Sequence, residues 1–188
     1  FNLRSKLAAV HGIAMNQVAI LVRAFWHARY IEAELNRRSI PYVAVGGLRF
    51  NERKHIKDII SYLRIILNPY DAVAWHRVLK YIPGVGTATA KKIIESISRE
   101  KVQGKPLGSS NKYYADLDSL MAMISRAREA NLTVAAMIGI IMEYYLPVLR
   151  AREYDWQVRI LDINVLTELS AKYDSAEKFL AEFALDPP

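Results

Sequence analysis

The chain has 188 residues, a formal net charge of +7 and 52% hydrophobic residues, which is the composition of a globular protein rather than of a disordered one. It has no cysteine, which excludes disulfide frameworks, thiolate zinc sites and cysteine nucleophiles and fits a cytoplasmic location. Its longest apolar run, residues 134–142, falls short of the roughly 20 residues that cross a membrane, so we expect no membrane contact. Because the chain begins at Phe1 rather than Met, we expect it to be a piece of a longer protein.

The charge is unevenly distributed along the chain. Residues 1–112 contain 19 Lys and Arg against 7 Asp and Glu, a net charge of +12, whereas residues 113–188 contain 7 against 12, a net charge of −5. A basic half of this kind indicates a surface that faces a polyanion, and nucleic acid is the first candidate. Solvated basic helix surfaces would give the same count, so charge alone leaves both interpretations open.

The first predicted unit covers residues 1–46. Residues 18–22 and 42–45 are apolar, β-branched runs, and residues 25–38 between them have helical spacing, which predicts a β-α-β unit with parallel strands. Two strands are too few for a stable sheet, so this unit resembles part of an α/β domain. We expect it to be the less stable part of the chain, fraying or pairing with a second copy through its exposed edges.

From residue 47 onward the apolar spacing predicts a helical domain that ends at residue 188. The fold class is therefore mainly α, preceded by the small β-α-β piece. Polar residues at the predicted helix starts, Asp71, Thr87 and Thr133, are expected to act as N-caps, and Pro147 is expected to kink or end its helix. The predicted helices cover residues 56–67, 71–82, 87–97, 117–127, 133–146, 162–172 and 174–185, and a basic loop covers 101–112.

A glycine-containing hairpin is the sharpest local signal. The run Ile82-Pro83-Gly84-Val85-Gly86-Thr87-Ala88-Thr89-Ala90 joins two amphipathic helices and resembles the hairpin of a helix-hairpin-helix DNA-binding motif. Glycines permit positive φ and leave backbone amides uncovered at the positive end of the following helix, where a phosphate fits. Lys91 and Lys92 follow one turn later. A tight interhelical turn with Val85 in the core is the structural alternative.

A second signal follows the predicted β-α-β unit. Residues 46–58 read Gly-Gly-Leu-Arg-Phe-Asn-Glu-Arg-Lys-His-Ile-Lys-Asp and lead directly into a helix. By composition this is a glycine hinge, a basic turn with one aromatic residue and a helix start. A plain linker between two domains is the alternative interpretation.

These residues together resemble superfamily 1 DNA helicases of the UvrD/PcrA/Rep type. The resemblance rests on residues 19–23 with Arg29, on residues 40–42 and on the 46–58 block, in that order, followed by a helical insert with a Gly-x-Gly loop. It implies a parent enzyme with two RecA-like motor domains, 1A and 2A, and inserts 1B and 2B. This chain then corresponds to the start of 2A, residues 1–46, and to the 2B insert, residues 47–188.

The resemblance also assigns roles to single residues. Arg29 matches the motif IV arginine that contacts the γ-phosphate of ATP, while His27 stands where the family usually has Gln. The Walker A pattern and the acidic Walker B pair are absent, so we expect no ATP hydrolysis by this chain itself. ATP and Mg²⁺ are expected in the parent enzyme. The four histidines have no metal-ligand spacing, and no metal site is expected.

The predicted function is a regulatory, duplex-contacting module of an ATP-dependent 3′→5′ DNA helicase. Gly46 and Gly47 are the predicted hinge. The predicted DNA-binding residues are Gly84, Val85, Gly86, Thr87, Thr89, Lys91, Lys92, Arg49 and Arg53. Expected partners are sequence-independent duplex or junction DNA and domains 1A, 1B and 2A. Two alternatives remain: a stand-alone helix-hairpin-helix DNA-binding protein, and a scaffold whose acidic, Tyr-rich second half binds another protein.

Overall fold

The computed structural model describes residues 14–22, 28–44, 50–103, 113–129 and 131–183. These residues form α-helices and two short 3-10 turns, Met15–Gln17 and Phe50–Glu52. The helices are α1 (Arg29–Arg37), α2 (Lys54–Leu67), α3 (Ala72–Leu79), α4 (Thr87–Gln103), α5 (Tyr114–Ala127), α6 (Val134–Arg152), α7 (Trp156–Ser170) and α8 (Ala176–Phe183). The mainly helical fold predicted from the sequence is confirmed.

Helix α2 lies at the centre of the molecule. It packs against α3, α5, α6, α7 and α8, and it is therefore buried on more than one face. Its fully or almost fully buried apolar side chains are Ile56, Ile59, Tyr62, Leu63, Ile65 and Ile66. Burial of each of these isoleucines contributes about 1.5–3 kcal/mol, so α2 anchors the helices around it. Among them is α3, which leads into the glycine hairpin.

Short polar side chains begin several helices, as the sequence predicts. The Asp71 carboxylate accepts a hydrogen bond from the Ala74 amide at 2.9 Å, and the Thr133 hydroxyl accepts one from the Ala136 amide at 3.2 Å. The Ser175 hydroxyl serves α8 in the same way. Each such cap contributes about 1 kcal/mol. At α4 the prediction was wrong, because the first intrahelical bond runs from the Ala90 amide to the Gly86 carbonyl, which places Gly86 at the N-cap position.

Helix α6 continues through Pro147 to Arg152, contrary to the expectation that the proline would kink or end it. A proline removes one helical hydrogen bond, but Tyr145 and Leu149 on either side of it are almost completely buried, and their packing outweighs that loss. Helix α6 is also long and apolar enough to cross a membrane, judged by length and composition alone. A buried core helix meets the same criterion, and α6 packs against both α5 and α7.

Helix α7 begins at Trp156 rather than at Asp162, where the sequence pattern placed a helix start. Asp162 lies near the middle of α7 and is buried. An aspartate in such a position needs partners of opposite charge, and it has them in Arg29 of α1 and in Arg53 at the start of α2. A residue that looks like a cap from its local sequence is instead a tertiary contact.

The predicted β-α-β unit is not present as such. Helix α1 forms, but residues 18–22 and 41–44 make no strand pairing within the described part of the chain. The side chains of Leu21 and Val43 are 95% and 83% exposed, so neither packs against a neighbouring strand among the described residues. A strand depends on a partner for its backbone hydrogen bonds, and the described residues supply none. The predicted boundary at residue 46 stays a prediction, since residues 45–49 lie outside the described ranges.

Candidate nucleic-acid interface

The connection between α3 and α4 is a tight hairpin that we define as residues 80–86. The backbone amides of Tyr81 and Ile82 extend the end of α3, because each donates a hydrogen bond of 3.0 Å to the carbonyl three residues earlier. The Val85 amide donates to the Ile82 carbonyl at 3.1 Å. Gly84 has a φ of +82°, in the left-handed region that favours glycine. This one residue reverses the chain direction.

The hairpin has an apolar side and an open backbone side. The side chains of Tyr81, Ile82 and Val85 are buried, whereas Pro83, Gly84 and Gly86 are exposed. A Cβ atom added at Gly84 or Gly86 would meet nothing within 4 Å. The backbone is therefore accessible there, while Val85 fixes the turn to the core. We expected positive φ at both glycines, but among the described glycines only Gly84 has it.

Helix α4 presents its N-terminus at this open side. Its first amides have no intrahelical acceptor, and the aligned peptide dipoles place partial positive charge at the same end. Thr87 is exposed, Thr89 is half-buried, and both Lys91 and Lys92 are exposed. Uncovered amides, two hydroxyls and two cations next to a glycine turn form an arrangement that can bind a phosphate.

A buried carboxylate fixes the entrance to the hairpin. Asp58 of α2 is fully buried and accepts hydrogen bonds from the Tyr81 hydroxyl at 2.5 Å, the Tyr145 hydroxyl at 2.7 Å and the Arg77 Nε at 2.6 Å. Burial, together with the hydrogen bond to this carboxylate, raises the pKa of Tyr81 far above its ordinary value. Tyr81 therefore stays a neutral donor, and three helices hold one point of the hairpin.

Arg152, at the end of α6, was not found from the sequence. Its Nη2 lies 3.3 Å from the Tyr81 carbonyl, and its guanidinium lies 5.1 Å from the centre of the Tyr81 ring. The Lys80 ammonium lies 5.3 Å from the same ring. Because 71 residues separate Arg152 from Tyr81, no local pattern relates them. The cations of Lys80 and Arg152 thus both lie beside Tyr81.

A second polar cluster is centred on Asp162 of α7. One carboxylate oxygen accepts from Arg53 Nη1 at 2.9 Å and from Arg29 Nε, and the other lies 2.8 Å from His55 Nε2. Arg53 also reaches both oxygens of Glu32 at 3.3 Å. Burial opposes ionisation of Asp162, but the His55 hydrogen bond and the two arginine charges hold its pKa below the ordinary value. Burial raises the pKa of Glu32.

This cluster affects two of the predicted site residues. Arg53 was expected to bind DNA, but its guanidinium is buried between two carboxylates, so we leave it out of the interface. Arg29 is buried against Asp162, and its role toward ATP stays a prediction. Arg49 and the hinge residues Gly46 and Gly47 lie outside the described residues.

The architecture and the hairpin together define a helical domain with an exposed, positively polarised turn between two helices. Comparison with known families places it further. The chain belongs to the family of UvrD-like helicase C-terminal domains, whose model matches residues 3–177. This match confirms the resemblance predicted from the sequence.

Individual relatives agree with the family. The chain is similar to the ATP-dependent DNA helicase PcrA of Bacillus subtilis, with 29% identity over 188 residues, covering 92% of this chain and 25% of that protein. It is 48% identical over 73 residues to the ATP-dependent DNA helicase UvrD1 of Mycobacterium tuberculosis, covering 39% and 10%. DNA helicase II of Haemophilus influenzae is 40% identical over 92 residues, covering 48% and 12%. The chain thus spans a quarter or less of these relatives.

Proposed function

We propose that this chain is a regulatory, duplex-contacting module of an ATP-dependent 3′→5′ DNA helicase. The observation that carries the proposal is the exposed backbone of Gly84 and Gly86 at the N-terminus of α4, in a chain of the helicase family. The alternative of a stand-alone DNA-binding protein has the same hairpin. The family match over residues 3–177 favours the helicase module.

The proposed contact is with phosphates of the DNA backbone. The amides of Gly84 and of residues 86–89 would donate to phosphate oxygens, while the Val85 amide stays bonded to the Ile82 carbonyl. The cations of Lys91 and Lys92 would add attraction at longer range. None of these groups reads a base edge, so binding would be independent of sequence. Val85 serves the site indirectly, because its burial holds the turn in place.

Nucleotide chemistry belongs to the parent enzyme in this proposal. The 188 residues contain neither Walker pattern, and the nearest candidate for a phosphate contact, Arg29, is engaged by Asp162. ATP with Mg²⁺ would bind between domains 1A and 2A, and for Arg29 to contribute there its guanidinium would have to exchange Asp162 for a phosphate. The module would turn about Gly46 and Gly47 in a cytoplasmic, nucleoid-associated enzyme.

The proposal is tested by titrating a fluorescein-labelled duplex with the 188-residue chain across a range of salt concentrations. We expect the Lys91→Ala/Lys92→Ala variant to lower the slope of log K against log salt by about 0.9 for each phosphate that the protein no longer neutralises. Lys172→Ala, which removes one exposed lysine that pairs with Glu34 of α1, is the control and should leave the slope unchanged. Identical slopes for wild type and the double variant would remove the hairpin from the interface.

A further inference from the structure

A cavity of about 260 Å³ opens between α2, α3 and the end of α8. The polar and charged side chains that line it are Asn51, Lys57, Ser61, Arg64 and Arg77. The lining also includes Val73, which is 73% exposed, and buried Phe183, whose ring packs against Phe50 and Phe179. Three cations and no carboxylate contribute to the lining; Arg64 and Arg77 are each paired with a carboxylate beside the cavity, and Lys57 supplies the excess positive charge.

The nearby carboxylates are already engaged. Asp71 binds Arg64 at 2.7 Å and also caps α3, while Asp58 is fully buried and binds Arg77 at 2.6 Å. Lys57 is exposed and has no carboxylate partner within the described part of the chain. Arg77 uses its Nε toward Asp58 and its Nη2 toward the Lys54 carbonyl, which leaves its Nη1 donors for another acceptor.

Arg77 connects this cavity to the hairpin. It lies one turn before Lys80, the first residue of the hairpin. The Arg77 Nη2 lies 3.0 Å from the Lys54 carbonyl and the Arg152 Nη2 lies 3.5 Å from the Lys80 carbonyl, so these cations lie near one another. Partial burial and repulsion from these cations lower the pKa of Lys80. Of these, Lys54 pairs with Glu153 at 2.5 Å and Arg77 with Asp58 at 2.6 Å. A cationic band therefore runs from the cavity past Lys80 to the hairpin.

We propose that the cavity between α2 and α3 binds a backbone phosphate of the same duplex that contacts the hairpin, with Lys57, Arg64 and Arg77 as its ligands and Lys80 bridging the two sites. This inference rests on the proposed function. Lys57 and Arg64 lie on α2, whereas the open amides of the hairpin lie beyond the end of α3 at the N-terminus of α4. The two sites would consequently hold different phosphates of the duplex. The proposed DNA-binding surface then extends from the hairpin across α3 to α2.

The test uses Lys57→Ala and Lys80→Ala in the 188-residue chain, with Lys172→Ala as the matched control. Each variant is first compared with wild type by circular dichroism and thermal melting. Affinity for a labelled duplex is then measured between 50 and 200 mM salt. Each phosphate that the protein no longer neutralises lowers the log–log slope by about 0.9, so over this interval the affinity of each band variant should fall about 3.5-fold less than that of wild type.

The outcomes separate this inference from the proposed function. If the Lys91→Ala/Lys92→Ala variant lowers the slope while folded Lys57→Ala behaves like Lys172→Ala, the cavity is not part of the footprint and only this inference fails. If neither changes the slope, both fail. A parallel NMR titration with sodium phosphate tests whether the cavity binds a free anion instead of a DNA phosphate. Saturable shifts of the Lys57 and Ser61 resonances, together with an unchanged salt slope for duplex binding by Lys57→Ala, would overturn the proposal.

Discussion

The hairpin region and helix α1 are attached to the molecule by different chemistry. The buried residues of α3 and the hairpin are all apolar or aromatic: Ala74, Trp75, Val78, Leu79, Tyr81, Ile82 and Val85. Those of α1 are Arg29, Glu32, Ala33 and Asn36, of which only Ala33 is apolar. The position of the hairpin is therefore stabilised mainly by burial of apolar surface. The position of α1 is stabilised mainly by buried ion pairs of Arg29 and Glu32.

This difference has consequences for how firmly each region is fixed. Apolar burial is almost independent of pH and of competing ions. A buried ion pair costs desolvation energy, and its remaining partner is destabilising when one member is removed. The hairpin is thus suited to a fixed binding surface, and the contact of α1 with α7 depends on the ionisation of Asp162.

The largest effect is expected at Asp58, whose fully buried carboxylate supports the hairpin. Asp58→Ala leaves Arg77, Tyr81 and Tyr145 without their common acceptor and should lower the free energy of unfolding by about 3–5 kcal/mol, as measured by urea denaturation. Asp174→Ala is the control, because the Asp174 side chain is 93% exposed, and it should change stability by less than about 0.5 kcal/mol. Equal losses in the two variants would show that the buried network contributes little.

The attachment of α1 should depend on pH through Asp162. Because the folded-state pKa of Asp162 is lowered, its stabilisation is complete above the ordinary aspartate pKa near 4 and is lost as pH falls through the lower folded value. Asp162→Asn should cost about 1–3 kcal/mol at pH 7 and less at pH 2, as measured by urea denaturation at each pH.

Glu32 supplies the matched comparison on the other side of Arg53. Its folded-state pKa is raised, so its ionisation on going to higher pH disfavours the folded state. Ionisation of Glu32 lowers the free energy of unfolding, whereas ionisation of Asp162 raises it. Glu32→Gln should therefore change the pH dependence of that free energy in the direction opposite to Asp162→Asn. If the two substitutions change the acid limb of the stability curve in the same direction, the account of this cluster is wrong.

A smaller effect is expected from the two hairpin glycines. Gly84→Ala places a side chain at a φ of +82° and should destabilise by about 1–2 kcal/mol. Gly86→Ala meets no atom within 4 Å and has no positive φ, but it replaces a favourable N-cap residue by an unfavourable one, so it should cost less, about 0.5 kcal/mol. Thermal melting followed by circular dichroism measures both. Similar melting temperatures for the two variants would contradict the assigned turn geometry.

Local signals in the sequence predicted a turn between two helices at residues 80–86, but not the N-cap of the second helix. The Pro-Gly-Val-Gly run, the cap at Asp71 and the apolar stripe of α2 each act within one or two helical turns, and the structure contains all three. The family assignment from the 46–58 block is confirmed by the match to residues 3–177.

The failures involve partners that are distant in sequence. Asp162 looked like a helix cap because its ion-pair partners Arg29 and Arg53 are 133 and 109 residues away. Pro147 stays within α6 because its neighbours Tyr145 and Leu149 are buried against other helices, and the local sequence does not contain those partners. The runs at 18–22 and 42–45 have strand composition, but strand formation requires a neighbouring strand that composition cannot supply.

The most direct test of the central claim is an NMR titration of the isotope-labelled 188-residue chain with a short duplex. If the hairpin is the DNA-binding surface, the amide resonances of Gly84, Val85, Gly86, Thr87 and Thr89 should shift together and saturably, while those of buried Leu120 and Ile124 in α5 stay unchanged. The same shifts should appear with a duplex of unrelated sequence. Saturable binding that leaves the amides of residues 84–89 unmoved would contradict the account.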